Sequence, residues 1–254
     1  MSENDQFSAL PLREQRGSRA RCLSLTEDPA AVSLQSLVEP YATIDPARHM
    51  WMPKGLSQPQ EAKLGETPGF LSFGQREVVT EWWLAVRGGA NTPNWDIACT
   101  ATIGGREGLI LVEAKAHANE LKTNGKPDRG NEDNHARIAA AIGEANRGLN
   151  SILPGWALSR DSHYQLCNRF AWSWKIASLG FPVILLYLGF EHAEEMHDQG
   201  PPIADAGAWV GLVKDYGRGI VPEAAWENEL LVTGTPLRPL IRSLRLDLQY
   251  DKRP

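Results

Sequence analysis

Residues Asn94-Trp-Asp-Ile-Ala-Cys-Thr-Ala-Thr-Ile-Gly-Gly-Arg-Glu-Gly-Leu-Ile-Leu-Val-Glu-Ala-Lys115 read as two strands joined by a glycine pair. In the first run, Ile97, Cys99, Ala101 and Ile103 alternate with Ala98, Thr100 and Thr102, the period of an extended strand. The second run, Leu109 to Val112, is continuously apolar, as in a strand buried on both faces. Gly104-Gly105 is a two-residue hairpin signal. With those glycines as the loop, Asp96 falls opposite Glu113, with Cβ atoms roughly 4.5–5.5 Å apart. A longer loop that uses Gly108 shifts this register. A shift of two keeps both acids on one face, and a shift of one or three separates them. Glu113 and Lys115 share a face, and Ala114 points away.

Two carboxylates placed that close repel each other, and one pKa rises unless something intervenes. A hard divalent cation removes the conflict. Mg²⁺ takes oxygen ligands, commonly one or two carboxylates with waters and phosphate oxygens. The backbone carbonyl of Ala114 is a candidate further ligand. Lys115 is then near enough to orient or deprotonate a water, or to neutralise charge on a phosphate. The competing reading is an ordinary strand end with a surface Glu–Lys pair, which is worth little energetically.

The constellation Asp96…Glu113-Ala114-Lys115 resembles the PD-(D/E)XK, or restriction-endonuclease-like, nuclease superfamily over roughly residues 75–190. The strings Glu-Ala-Lys-Ala-His from Glu113 and Tyr-Gln-Leu-x-Asn-Arg from Tyr164 resemble poorly characterised bacterial members. One departure is visible: Trp95 stands where the family usually has Pro, and Pro93 lies two residues further back. The resemblance implies an α/β fold with a restriction-endonuclease-like core of helix, three-stranded antiparallel sheet, helix and further strand. It implies Mg²⁺, with Mn²⁺ as substitute, on Asp96 and Glu113, with Lys115 assisting the attacking water. The implied activity is phosphodiester hydrolysis in nucleic acid, with DNA the expected partner.

The flanking sequence supplies the remaining elements. From Gln75 to Val86, Val78, Val79, Trp82, Trp83 and Val86 have helical spacing, and the last turn reads equally as a strand. Glu81 lies at the edge of that stripe. The resemblance lets such a Glu join the metal site; taken alone it is a solvated helix residue. Asp161 to Gly180 reads as a helix, with Asp161 or Ser162 as cap and Gly180 and Pro182 at its end. Gln165 and Arg169 share a face of it at i,i+4. The resemblance implies that the Gln supports the site; Arg169 is a candidate supporting residue, and Asn168 and Arg169 are candidates for phosphate contact, with surface or buried hydrogen bonding as the alternative. Val183 to Leu188 reads as a central strand. His117 is either a supporting partner or a loop residue.

Leu121 to Asn134 carries Lys122, Lys126 and Arg129 among glycines and a proline. It reads as a flexible basic loop, either contacting nucleic acid or simply solvated. His135 to Leu149 has the spacing of an amphipathic helix. Toward the C-terminus, Trp209, Val210, Val213 and Tyr216 suggest a helix, and Pro222 opens a short one carrying Trp226. Leu244, Leu246 and Leu248 suggest a half-buried strand.

With 254 residues, 42% hydrophobic and 22% charged, the chain falls in the ordinary globular class. Residues 1–70 read as an irregular arm, and residues 71–254 as the nuclease-like domain, with a helical insertion at 116–160 and an extension at 191–254. Arg13, Arg16, Arg19 and Arg21 form either a basic arm or a disordered leader. Residues 28–68 are expected to wrap the core, because Trp51 and Met52 are costly to expose. No run approaches the roughly 18 apolar residues of a membrane span, and Met1 to Glu14 has no signal-peptide core. Cys22, Cys99 and Cys167 have no metal-ligand spacing, which suggests buried thiols and a cytoplasmic protein.

A net charge of −5 argues against nonspecific coating of DNA and leaves a local basic groove possible. Most of the nine tryptophans recur within apolar stripes and read as core. Trp95, beside Asp96, is the candidate for base stacking. Two further readings stay open: an inactive nuclease-fold module that binds nucleic acid or a protein partner, and an enzyme for another phosphorylated substrate. A homodimer is compatible with either.

Overall fold

Helices and strands alternate along the chain in a computed structural model that describes residues 11, 14–88, 91–127 and 131–248. Helices α1 (Gly17–Glu27) and α2 (Val32–Val38) lead into three two-residue strands, β1 (Ala42–Thr43), β2 (Trp51–Met52) and β3 (Ala62–Lys63). Then come α3 (Phe73–Trp83), β4 (Asn94–Trp95), β5 (Ile97–Ile103), β6 (Arg106–Lys115), α4 (Glu132–Ile152), α5 (Tyr164–Ser178) and β7 (Val183–Glu191). Helix α6 (Ala206–Tyr216) and strands β8 (Leu230–Val232) and β9 (Thr235–Arg245) complete the order.

The α/β expectation holds. The main sheet is mixed, in the order β1-β5-β6-β7-β9-β8, with β2 also on β5. Strands β5 and β6 pair from Ile97↔Val112 to Ile103↔Arg106, so the loop is the Gly104-Gly105 pair and Gly108 lies within the strand. Both turn glycines take positive φ, 57° and 77°, which the tight hairpin requires of its two central residues. Strands β6, β7 and β9 run parallel. Parallel neighbours need long crossovers, and α4 with α5, then α6, provide them.

Both faces of the sheet are covered. Ala98, Leu109, Leu111, Val183 and Leu185 pack against α3, α4, α5 and α6. Ile97, Cys99, Ile110, Val112 and Ile184 pack against α1 and α2. Each such aliphatic side chain contributes about 1.5–3 kcal/mol by leaving water, which is why the run at Leu109 carries no polar residue.

Several expectations are corrected. The stretch read as an irregular arm contains α1 and α2, and Ala20, Cys22, Leu23 and Leu25 of α1 are buried. Its arginines do not form a free basic arm. Arg21 is buried and pairs with Glu195, Arg16 pairs with Asp198, and Arg19 pairs with Glu61. Arg13 lies outside the described residues. The wrapping expected of residues 28–68 is present: Trp51 is buried, and β2 adds to β5.

Helix α3 starts at Phe73 on a Ser72–Gln75 capping box and ends at Trp83, with no strand in its last turn. Between α3 and α4 only β5 and β6 belong to the main sheet, as an antiparallel pair. Their antiparallel neighbours, β1 and β2, come from earlier in the chain. Helix α5 is not capped by Asp161 or Ser162. His163 precedes it in the left-handed region, and the N–H groups of His163 and Tyr164 donate to the carbonyls of Thr123 and Asn124. The C-terminal strand is Thr235–Arg245, so the leucine alternation catches only its end. Among the described residues, no helix is long and apolar enough to cross a membrane.

Candidate active site

The site begins where a ladder stops. Pairing of β5 with β6 ends at Ile97↔Val112, because Trp95 and Asn94 turn away to pair with Ala62 and Lys63 of β3. Strand β6 runs on to Lys115. The Asp96 side chain fills the gap: its Oδ2 accepts the Ala114 N–H at 2.7 Å. Asp96 is therefore not cross-strand paired with Glu113 as the register alone implied. It sits one step beyond the last pair, and its carboxylate replaces a backbone acceptor. In an extended strand a residue's N–H and C=O face the same edge, so the Ala114 carbonyl also faces Asp96.

Glu113 points from β6 toward α5, and its side chain is only 1% exposed. Its Oε1 accepts from Lys115 Nζ and from Gln165 Nε2, and its Oε2 accepts from Arg169 Nε. Gln165 and Arg169, placed on one helix face by their spacing, thus both reach the acid. Arg169 also lies over the Trp95 ring, with Cζ 4.6 Å from its centroid, and donates to Asn168 Oδ1 at 3.1 Å. The local balance is two carboxylates against two cations.

These contacts set the charge states. Burial pushes the Glu113 carboxyl up, but Arg169 and Lys115 outweigh it and hold the group below its usual range. Burial alone lowers the Lys115 ammonium, yet Glu113 and Asp96 dominate and raise it. At Asp96, Lys115 and Arg169 compensate only in part. Desolvation, and then the nearby Glu113 charge, raise its carboxyl to about 7.

A cleft of about 620 Å³ reaches Lys115 and Arg169, while Asp96 and Glu113 do not line it. Lys115, Gln165, Asn168 and Arg169 line its depth, and Lys122 and Asn124 line another wall. Glu120 also lines it, held by the Ala116 N–H at 2.9 Å and the Ser18 hydroxyl at 3.1 Å. Glu120 does not stand out in the sequence, and Tyr164, the one aromatic lining the cleft among the described residues, does so only as the first residue of the Tyr-Gln-Leu-x-Asn-Arg string. Each is placed by a loop or helix end whose position depends on tertiary contacts.

Other expected residues lie elsewhere. Glu81 is on the outer face of α3, with its side chain 71% exposed and 3.9 Å from Arg87, so it takes no part in the site. Its helix turns the apolar stripe inward and leaves Glu81 in solvent. The Lys126 backbone N–H bonds the Arg160 carbonyl, and its side chain does not line the cleft. Arg129 lies outside the described residues. Trp95 is fully buried beneath Arg169, which rules out stacking on a base. His117 is buried 3.4 Å from Glu120, not displayed on a loop.

The segment read as a flexible loop is tied down in its described part. Besides the α5 contacts, Tyr216 Oη donates to the Lys122 carbonyl at 2.9 Å. Comparison with protein-family models, with curated proteins and with solved structures finds no match for the chain.

Proposed function

We propose that this chain is a metal-dependent nuclease with a restriction-endonuclease-like core, hydrolysing phosphodiester bonds in DNA. The observation that carries the reading is that Asp96 bonds the Ala114 N–H, between the paired Glu113 and Lys115 at the end of β6, and that Lys115 lines a cleft. Among the described residues, no three acidic, imidazole or thiol side chains converge as a metal cage. The donor set is instead that of a Mg²⁺ held by one or two carboxylates and completed by water and phosphate. Asp96, Glu113 and the Ala114 carbonyl would hold it. The raised Asp96 carboxyl fits a group that gains by meeting a cation. When bound, the ion supplies Lewis acidity and a more acidic water.

Lys115 is held as an ammonium by Glu113. That supports a role as a fixed positive charge facing the phosphate rather than as a base. Arg169 and Gln165 orient Glu113. The test is cleavage of plasmid and single-stranded DNA with Mn²⁺ by wild type, Asp96→Ala and Lys115→Ala. Lys115→Ala is expected to cut at least roughly 100-fold more slowly, as when a transition-state donor is removed, with Mn²⁺ affinity little changed. Unchanged cleavage by that variant refutes the assignment.

One observation favours a second reading. Glu113 is already bonded by three side chains and its charge is matched without a metal. A nuclease-fold module that binds nucleic acid or a protein without cutting would keep such a floor for stability. Affinity with no metal-dependent turnover identifies it.

A further inference from the structure

The cleft has the volume of a pocket for one small ligand, about 620 Å³. Its inner lining is buried: the Lys115 and Arg169 side chains are each only 7% exposed. One wall is rigid. His163 and Tyr164 donate backbone bonds of 2.8 and 3.0 Å to Thr123 and Asn124, and Lys126 donates one of 2.8 Å to Arg160. Gly125 makes this close approach possible, because a Cβ there would stand 2.5 Å from the Asp161 carbonyl oxygen.

The lining has the chemistry of a nucleotide site. Tyr164 offers an aromatic ring beside Arg169. Asn91, Asn124, Gln165 and Asn168 carry amides, each both donor and acceptor. Lys122 is exposed on the lining and makes no ion pair among the described residues. A stiff duplex carries its phosphates along an unbroken backbone, and they cannot descend to a nearly inaccessible ammonium. Enzymes with buried sites meet this problem by taking single strands or by extruding a nucleotide.

We infer that the cleft takes one nucleotide unit of a single DNA strand, with its phosphate at Lys115 and its base against Tyr164 and the amides. This deepens the nuclease reading, on which the placing of the phosphate rests. The base stacks on an edge of the cleft that the buried Trp95 cannot provide. Lys122 meets the neighbouring phosphate at the mouth.

Fluorescence anisotropy of the full chain in EDTA tests it, using a labelled strand of about a dozen nucleotides, the same sequence as a blunt duplex, and thymidine 5′-monophosphate as competitor. Extraction from a duplex costs a few kcal/mol, so the strand is expected to bind at least roughly ten-fold tighter. Tyr164→Ala should weaken it roughly ten-fold and Tyr164→Phe hardly at all, since stacking needs only the ring. Lys122→Ala, on the surface, should lower the salt slope by about 0.7.

Equal or tighter binding of the duplex, or equal loss in both Tyr164 variants, overturns the inference. So does displacement by the monophosphate at equal nucleotide concentration, which assigns the cleft to free nucleotides. Parallel incubation with Mn²⁺ separates the two claims. Duplex preference with cleavage leaves the nuclease reading standing, and strand preference without cleavage leaves only the binding inference.

Discussion

Replacing Asp96 by Asn in the metal-free protein should remove a loss of stability that the wild type suffers as pH rises toward 8. Asp96 is half-buried, bonded to the Ala114 N–H, and raised from 3.8 to about 7 by desolvation and the Glu113 charge. A folded-state pKa above the unfolded one means that the neutral carboxyl is favoured in the fold. Its contribution is complete below pH about 4 and is lost as pH rises through about 7. Each pH unit in that window is worth about 1.4 kcal/mol, so the whole gap sets an upper limit of about 4 kcal/mol.

Between pH 5 and pH 8 the wild type should lose about 2–3 kcal/mol relative to Asp96→Asn, which keeps the acceptor oxygen but never ionises. Urea unfolding in EDTA at both pH values, followed by tryptophan fluorescence, measures this. At about 2–4 °C per kcal/mol for a chain of this size, melting temperatures should diverge by roughly 5–10 °C at pH 8. Mg²⁺ should then restore the wild type at pH 8 and leave the variant unmoved. A difference between the two proteins that does not change with pH would mean that Asp96 does not share a desolvated pocket with Glu113, and the site as described would fall.

Three further outcomes follow from single contacts. Arg169→Ala leaves Glu113 buried with one cation fewer and uncovers Trp95, so urea unfolding should show a loss of about 3–5 kcal/mol; Arg169→Lys, keeping the charge without the flat stack, should lose less. Glu81→Ala should leave stability within about 0.5 kcal/mol and any cleavage rate unchanged, since its carboxylate is solvated on α3. Gly125→Ala forces a Cβ against the Asp161 carbonyl, and should cost about 1–3 kcal/mol and make the Lys122–Pro127 wall a preferred site of proteolytic nicking.

What the sequence discloses is what depends on local order. The β5–β6 register follows from a period of two and a glycine pair, and α4 and β7 follow from spacing and an apolar run. The neighbourhood of Glu113 was legible in part because Gln165 and Arg169 share one helix face. What stayed hidden depends on distant partners. Arg21 reads as a basic tail residue until Glu195 is beside it. Strand β9 is masked by Pro236 and Pro239, which normally interrupt a ladder. Pro239 is tolerated because β8 pairs only as far as Leu237, and the Pro239 carbonyl on that open edge is taken by the Glu227 N–H. The departure of Trp95 to pair with Ala62 on β3 is likewise a tertiary choice, and it is what frees the Ala114 N–H for Asp96.

The two functional readings differ in one property of Glu113. An ionised carboxylate has about four acceptor positions, and Lys115, Gln165 and Arg169 occupy three. A floor of two acids and two cations is balanced only when Asp96 is ionised. When Asp96 carries a proton, the floor holds one positive charge in excess. A divalent cation therefore meets two neighbours of its own sign, and must displace the Asp96 proton to gain its ligand. A phosphate brings negative charge to the same place and pairs with Lys115 and Arg169. Metal and phosphate together are thus better accommodated than either alone, and on the nuclease reading their binding is cooperative. In the inert module, the third and fourth charges never arrive, and the Arg169–Glu113–Lys115 cluster is simply a buried ion network whose main consequence is the large penalty for removing any one member.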